Sequence, residues 1–426
     1  MEERIVNPGD SVVVKTKDTD KEWKGIILES YDPEIILLKL ETGYNIGIRE
    51  ENILNLQVLE KGKEAKKKEF KLEQKKELPN IAMIITGGTI SARLDPKTGG
   101  VIPTDAEEIL TLSPEISRIC NIVKIEKPFM KWSENMAFDD WKNLAESCEK
   151  LLNDCSIKGI VITHGTDFLH YTSAALSFFL RNLNKPVALT YSQRSIDRGS
   201  TDASLNLVCA AKFAVSDIAE VAIVGHENLN DEFCLAMPGT KVRKLHTSRR
   251  DAFKIVNSEP FARISKKDFK ILRDFNARNN NGRAELDNVA SEKVALIQIY
   301  PGQSPEILEW YASQGYKGII LEVAGIGQVP GKNATNENWL PKIKKIIEKG
   351  VIICATAQTI FGELNPKVYE NGRELEKTGI IFLKDMLSET AFVKLAWVLG
   401  HKKWQGKEKE KMLENFSGEF NSRLEF

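Results

Sequence analysis

The chain has 426 residues, and its 60 lysines and arginines balance 60 aspartates and glutamates, so its formal net charge is zero. This length exceeds what one hydrophobic core usually organises, which predicts two or three domains. Without a net charge, no whole-molecule field draws the protein to nucleic acid or anionic lipid. Any such contact therefore requires a local patch or a partner.

The remaining composition excludes further classes of protein. No apolar run is long enough to span a bilayer, and the first residues lack the apolar core of a signal peptide. We therefore expect a cytoplasmic protein with no membrane contact. The six cysteines form no CxxC pair, as expected where thiols stay reduced. The five histidines form no HExxH-like motif, so we expect no metal site.

Residues 1–60 are predicted to form a small β-barrel domain, because short apolar runs alternate there with turn signals. Residues 61–79 are rich in lysine and glutamate with little to bury, which is typical of a charged linker. An RNA-binding patch is the less favoured interpretation of this linker, because its glutamates weaken the positive field.

Residues 80–275 are predicted to form an α/β domain with a parallel sheet, in which buried strands alternate with amphipathic helices. The strands are expected at residues 81–85, 159–163, 187–190 and 221–224, and the helices at residues 141–152 and 171–180. Residues 276–292 are polar and contain an Asn-Asn-Asn-Gly run, which indicates a connector.

Residues 293–426 repeat the α/β pattern on a smaller scale and are predicted to form a second domain. Its strands are expected at residues 294–299, 318–321 and 351–355, with a long helical stretch at residues 391–413. The lysines of that last stretch are interpreted as a solvated face.

Two short motifs carry the chemistry. Thr-Gly-Gly-Thr occupies residues 86–89 and His-Gly-Thr-Asp occupies residues 164–167, each directly after a predicted strand. The carboxyl ends of parallel strands meet at one edge of a sheet, so both turns should face one crevice. Glycines there allow backbone N–H groups to approach a bound oxygen closely. A threonine hydroxyl in such a turn is a candidate nucleophile.

Alternatives remain open at this point. The first turn alone could be a phosphate cradle, but Asp167 in the second would repel an anion and suit a substrate ammonium. Threonine needs a base within reach, and His164 is more often a packing residue than a base in this position. A lysine can act as the base if burial lowers its pKa, and Lys244 is one candidate among many.

The two motifs together resemble the bacterial-type asparaginase/glutaminase family, from about residue 78 to the C-terminus. The resemblance implies two α/β domains and a threonine-dependent amidohydrolase. Thr89 matches the nucleophile of the family, and Thr166 with Asp167 matches its second turn. Lys244 matches the lysine that hydrogen-bonds the second threonine.

The same resemblance implies substrate-binding residues. Ser133 and Glu134 match a segment that grips the α-carboxylate and α-amine of the substrate, although Glu134 replaces a glutamine of the family. Backbone N–H groups near Gly88 and Thr166 would hold the oxyanion, and Gly165 is expected among the substrate-binding residues. The family usually has a tyrosine in the loop after the first threonine, but residues 91–104 contain none. Either this loop activates Thr89 differently, or efficient turnover waits on something outside the chain that closes the lid.

Residues 38–48 and the C-terminal segment 412–419 resemble the GatD-type glutaminase subunits of archaeal tRNA-dependent amidotransferases, and this resemblance covers essentially the whole chain. That resemblance implies glutamine as the ammonia donor and a GatE-type partner subunit that holds ATP, Mg²⁺ and Glu-tRNA(Gln). It implies no cofactor in this chain, and a homodimer within a heterotetramer. A free-standing asparaginase/glutaminase with an accessory barrel is the alternative, and a non-catalytic binding module is a third hypothesis.

Overall fold

The N-terminal domain is a five-stranded antiparallel sheet. The computed structural model describes residues 6–17, 21–30, 32–42, 44–62, 74–94, 101–103, 113–335 and 337–421. The strands of this domain are β1 (Ser11–Thr16), β2 (Glu22–Leu28), β3 (Ile35–Leu40), β4 (Asn45–Arg49) and β5 (Ile53–Glu60). The sheet order is β4-β3-β2-β1-β5. The predicted small β domain is thus confirmed, but the described strands form an open sheet because β4 and β5 do not pair.

The central domain is built on an eight-stranded mixed sheet. The strands of the domain, six of which form the separate pairs β7–β8, β11–β19 and β15–β16, are β6 (Asn80–Ile85), β7 (Ala92–Leu94), β8 (Val101–Pro103), β9 (Asn121–Glu126), β10 (Ile160–Thr163), β11 (Leu180–Arg181), β12 (Val187–Thr190), β13 (Val221–His226), β14 (Phe233–Pro238), β15 (Val242–Lys244), β16 (Phe253–Ile255), β17 (Ala262–Ser265), β18 (Phe269–Ile271) and β19 (Glu285–Leu286). Its helices are α1 (Phe138–Leu152), α2 (Leu169–Phe179) and α3 (Ala203–Ala214). The sheet order is β18-β17-β14-β13-β12-β10-β6-β9.

Five adjacent strands of this sheet, β13, β12, β10, β6 and β9, are parallel, which confirms the predicted parallel sheet. The antiparallel extension through β14, β17 and β18 was not predicted. Successive strand residues alternate between two cores: α1 and α2 cover one face of the sheet and α3 covers the other. The chain leaves β6 for β9 on one side and returns to β10 on the other, so a topological switch point lies between β6 and β10.

The C-terminal domain is a four-stranded parallel sheet with helices. Its strands are β20 (Val294–Gln298), β21 (Gly318–Val323), β22 (Ile352–Ala357) and β23 (Ile381–Phe382). Its helices are α4 (Glu306–Ser313), α5 (Trp339–Glu348), α6 (Glu370–Glu376), α7 (Ser388–Gly400) and α8 (Glu408–Leu413). Helix α7 is buried on nearly all sides, because it packs between α2 and the C-terminal sheet. The two α/β domains therefore share one apolar core.

The helical stretch predicted at residues 391–413 is interrupted. It consists of two helices, α7 and α8, joined by a 3₁₀ turn at Lys402–Trp404. Gly406 in this connection has φ 80°, a conformation that glycine adopts without strain and a continuous helix does not contain. The break turns α8 and the following chain back onto α7.

That return is fixed by a buried ion pair. Lys394 Nζ lies 2.6 Å from Glu419 Oε1, and both side chains are fully buried. The ammonium also donates to the carbonyl oxygens of Met412 and Glu414. The carboxylate accepts the backbone N–H groups of Phe416 and Ser417, so its charge is well satisfied.

We predict that Lys394→Met destabilises the protein by about 3–5 kcal/mol, because it leaves the Glu419 carboxylate buried without its counter-ion. Urea denaturation measures the change. The double variant Lys394→Met/Glu419→Gln removes both charges and should recover part of the loss. A cost for the single variant within experimental error would contradict this role for the pair.

Candidate active site

The two glycine turns meet at the switch point of the sheet. β6 and β10 pair in register, with Ile85 opposite Thr163, so the turns that follow begin side by side. A Cβ built on Gly88 would lie 2.3 Å from the Cα of Gly165, closer than any real contact. Gly88 has φ 78° and precedes a 3₁₀ turn that begins at Thr89. Thr89 and Thr166 each follow a glycine of this contact, so the fold brings the two predicted threonines to one place.

Lys244 completes the cluster from a separate two-stranded hairpin, β15–β16. Its Nζ donates to Thr166 Oγ1 at 2.8 Å and to Asp167 Oδ1 at 2.8 Å. The lysine side chain is only 11% exposed, whereas that of Asp167 is 58% exposed. Asp167 can therefore accept a further cation from solvent. Thr89 has no side-chain hydrogen bond to the described part of the chain, which leaves its hydroxyl available to a substrate.

Ser133 supports the second turn. Its buried Oγ accepts the backbone N–H groups of Asp167 at 3.1 Å and Phe168 at 3.4 Å. A Cβ on Gly165 would lie 2.8 Å from this oxygen, so the glycine is needed for the approach. Glu134 is exposed in the same 3₁₀ turn, Ser133–Asn135. The substrate-binding roles of Ser133 and Glu134 remain predictions.

Sequence reasoning missed the residues that support the first turn. The backbone N–H of Lys131 donates to Thr86 O at 2.9 Å, and a Cβ on Gly87 would lie 2.3 Å from Lys131 O. Lys131 Nζ in turn contacts Asp140 Oδ1 at 2.7 Å. Asp140 also accepts the N–H of Ala137 at the start of α1. An acidic residue directly before the helix predicted at residues 141–152 was the one available signal for this support.

A second missed group fixes the strand that carries Lys244. The fully buried ring of Tyr191 lies 4.6 Å from the ring of Phe253, which pairs with Lys244 across the β15–β16 hairpin. The Tyr191 hydroxyl donates to Arg250 O in the same hairpin. Nothing in the sequence around Tyr191 indicates this contact, because the partners are about 60 residues apart.

The C-terminal domain also reaches this strand. Glu389 at the start of α7 forms a 3.0 Å ion pair with Arg243, the neighbour of Lys244, and lies 3.7 Å from His170. Burial opposes ionisation of Glu389, but His170 and Arg243 together hold its pKa below the usual value. The docking of the second domain therefore helps to fix the position of Lys244.

His164 is a packing residue, as its position suggested. It is fully buried, its Nδ1 lies 2.7 Å from Gly165 O and its Nε2 lies 2.9 Å from Thr172 Oγ1. A carbonyl oxygen can only accept, so Nδ1 carries the proton and Nε2 accepts from Thr172. Burial lowers the pKa of His164 to about 4. The imidazole is therefore neutral and already fully hydrogen-bonded.

The described residues contain no group of three or more histidine, cysteine, aspartate or glutamate side chains placed to hold a metal ion. None of the described helices is both long and apolar enough to span a membrane. All six cysteines are free thiols.

The loop that follows Thr89 lies largely outside the described residues, so the absence of a tyrosine from this loop is an observation on the sequence alone. What the site presents is a pair of hydroxyls with one lysine and one carboxylate.

Comparison with known proteins identifies the family. The family described as "Asparaginase, N-terminal" matches residues 80–276, and "Glutaminase/Asparaginase C-terminal domain" matches residues 293–413. "GatD N-terminal domain" matches residues 6–59. The GatD subunit of the glutamyl-tRNA(Gln) amidotransferase of Pyrococcus furiosus is 45% identical, covering 98% of this chain and 96% of the relative. This chain belongs to the GatD family.

Further comparisons agree with this membership. The GatD subunit from Thermococcus kodakarensis is 44% identical and covers 100% of this chain and 97% of the relative. Among solved structures, the thermostable L-asparaginase from Thermococcus kodakarensis superimposes with a TM-score of 0.72 at 29% identity. It covers 81% of this chain and 100% of the asparaginase chain. The predicted asparaginase-like α/β fold of this GatD-family chain is thus confirmed.

We predict that Gly88→Ala lowers kcat/KM for glutamine by about 100-fold, because the new Cβ forces the two turns apart. The effect is measured by following ammonia release from the folded variant. Gly199→Ala is the matched control, because a Cβ there meets nothing within 4 Å. Full activity of Gly88→Ala would show that the contact between the turns is not required.

His164 should make the stability pH-dependent. Its folded-state pKa of about 4 lies below the ordinary 6.5, so the unfolded chain binds more protons between these values. Stability is therefore lost as the pH falls from about 6.5, by about 3 kcal/mol in all once the pH is below about 4. His164→Gln should flatten this loss in urea denaturation series at different pH values. His246→Gln, at an exposed histidine, should not, and equal profiles for both variants would contradict the assignment.

Proposed function

We propose that this GatD-family chain is the glutaminase subunit of a tRNA-dependent amidotransferase, which releases ammonia from glutamine for a partner subunit. The observation that carries the proposal is the hydrogen bond from Lys244 to Thr166 beside the contact of Gly88 with Gly165. The GatD relatives match along nearly the whole chain, N-terminal domain included, which favours this function over a free-standing asparaginase.

In the proposed reaction, Thr89 Oγ attacks the side-chain amide carbon of glutamine and gives up its proton. Backbone N–H groups near Gly88, Gly165 and Thr166 hold the oxyanion of the tetrahedral intermediate. Collapse of that intermediate breaks the C–N bond, and the amide nitrogen leaves as ammonia after it gains a proton. Water then hydrolyses the acyl-enzyme ester, which releases glutamate and restores the Thr89 hydroxyl.

The other residues have distinct roles in this scheme. Thr166 and Lys244 form the relay that moves the proton between the nucleophile, the leaving nitrogen and the water. The exposed carboxylate of Asp167 binds the α-ammonium of glutamine, and Ser133 with Glu134 lies beside that end of the substrate. Glu134 adds a second negative charge to the ammonium end, where the family has a neutral glutamine.

The division of labour follows from the chemistry of ammonia. In neutral water most ammonia is ammonium, which has no lone pair to attack an activated ester. A sheltered transfer between subunits avoids that loss. We propose a GatE-type partner that holds ATP, Mg²⁺ and Glu-tRNA(Gln) and converts it to Gln-tRNA(Gln). The assembly is then a cytoplasmic heterotetramer around a homodimer of this chain, and this chain needs no cofactor of its own.

Thr89→Val tests the proposal in the complex with the partner. We expect it to abolish glutamine-dependent formation of Gln-tRNA(Gln), because the nucleophile is lost, while added ammonium salt restores product. Both reactions are followed by separating the aminoacyl products. Thr378→Val is the matched control, because its hydroxyl donates to Leu375 O within its own turn of the C-terminal domain, away from the site.

Two outcomes would contradict this function. Glutamine-dependent product from Thr89→Val would exclude Thr89 as the nucleophile. Rapid asparagine hydrolysis by the chain alone, with no stimulation by partner and tRNA, would favour the free-standing asparaginase. Trapping the acyl-enzyme with Thr166→Val would show on which threonine the ester forms.

A further inference from the structure

A charged cleft lies between the N-terminal and central domains, outside the site described above. Its volume is about 620 Å³. One wall is the β3–β4 hairpin, and the other is the loop that follows β12. The lining residues are Lys39, Glu41, Thr42, Tyr44, Arg194, Asp197, Arg198 and Gly199.

The cleft carries an excess of positive charge. Lys39, Arg194 and Arg198 face two carboxylates, and one of these, Glu41, is held 2.9 Å from the Lys24 ammonium. Neither arginine forms a salt bridge with any residue in the described part of the chain, and the guanidinium of Arg194 donates to the carbonyl of Gly199. When Lys24 is counted as the partner of Glu41, four cations accompany two anions here, although the whole molecule has no net charge.

Lys39 shows the electrostatic consequence. Burial and the nearby Arg198 guanidinium lower the pKa of Lys39, and Asp197 only partly opposes them. A cation that is both desolvated and close to a like charge is stabilised when an anion enters the cleft. The cleft therefore favours a ligand that brings negative charge without a counter-ion of its own.

An aromatic side chain narrows the class of ligand. Tyr44 lines the cleft and is 75% exposed, which is unusual for a large aromatic residue. Cations interleaved with an exposed aromatic ring are typical of surfaces that bind the backbone and unstacked bases of single-stranded nucleic acid. An arginine side chain binds a phosphate through two parallel hydrogen bonds. An acidic peptide could also bind the arginines, but it has no base to stack on the Tyr44 ring.

The cleft also lies on the relevant side of the molecule. The loop with Arg194 and Arg198 follows the carboxyl end of β12. In a parallel sheet this is the edge at which the turns after β6 and β10 bring Gly88 and Gly165 together. A ligand in the cleft therefore shares the edge of the sheet with the candidate active site.

We propose that this cleft binds the phosphate backbone of the tRNA substrate, with Arg194, Arg198 and Lys39 on phosphates and Tyr44 against a base. The proposal rests on the proposed function, because it names a second contact, made by this chain, for the tRNA that the partner holds. Contact with RNA at this edge would allow the glutaminase site to respond when the tRNA is present.

The test is made on the assembled complex with Glu-tRNA(Gln). Arg194→Gln/Arg198→Gln should raise the KM for the tRNA at least about fivefold. The same variant should reduce the steepness of a plot of log binding constant against log salt concentration by about one to two. Tyr44→Ala should weaken tRNA binding with little change in that slope, because stacking carries no counter-ions. Glutamine hydrolysis measured without tRNA should be unchanged in both variants.

Lys344→Gln/Lys349→Gln is the matched control, because it removes two exposed cations from the end of α5 in the C-terminal domain. A KM for tRNA within twofold of this control would overturn the proposal. Loss of assembly with the partner, seen by size-exclusion chromatography, would also overturn it and assign the cleft to a protein. Failure of the glutaminase function itself would give a different result, because Thr89→Val would then still form Gln-tRNA(Gln) from glutamine.

Discussion

The contact between Gly88 and Gly165 is the constraint on which the candidate site depends. Two parallel strands in register end beside each other, and the backbones of their turns touch at a distance that excludes any side chain. Each turn then places its threonine immediately after the contact. Because close backbone approach fixes position without flexible side chains, the geometry is determined before a substrate arrives. Lys131 and Ser133 support the two turns from outside.

Lys244 is positioned by quite different means. It belongs to the short hairpin β15–β16, which is separate from the eight-stranded sheet. Three contacts help to hold that hairpin in place. Tyr191 packs on it, its hydroxyl bonds Arg250 O, and Glu389 from the C-terminal domain pairs with Arg243. The pair of buried Glu389 with partly exposed Arg243 holds the start of α7 against this hairpin. The second α/β domain thus reaches the strand that carries Lys244 through two carboxylates: Glu389, which pairs with Arg243, and Asp385, which forms a buried ion pair with Lys241 just before that strand.

Zero net charge conceals a marked local segregation of charge. Fully buried pairs such as Lys394 with Glu419 stabilise the return of the C-terminal chain. The cleft beside Tyr44, in contrast, holds two arginines that pair with no carboxylate among the described residues. Such cations at a domain boundary have little structural value, because exposed charges contribute little to folding. Their clustering at one site is better explained by a ligand than by stability.

The sequence alone predicted most strands of the two parallel sheets and the two threonine turns, because apolar periodicity and the glycines that mark turns are local signals. Resemblance to a family, and not spacing, selected Lys244 among sixty basic residues. Local signals could not predict the break between α7 and α8, the antiparallel extension of the sheet or the open N-terminal sheet. Only the tertiary structure decided these features, together with the roles of Tyr191, Asp140 and Glu389. Each depends on which distant segments come into contact, and the residue types on one segment do not specify their partners on another.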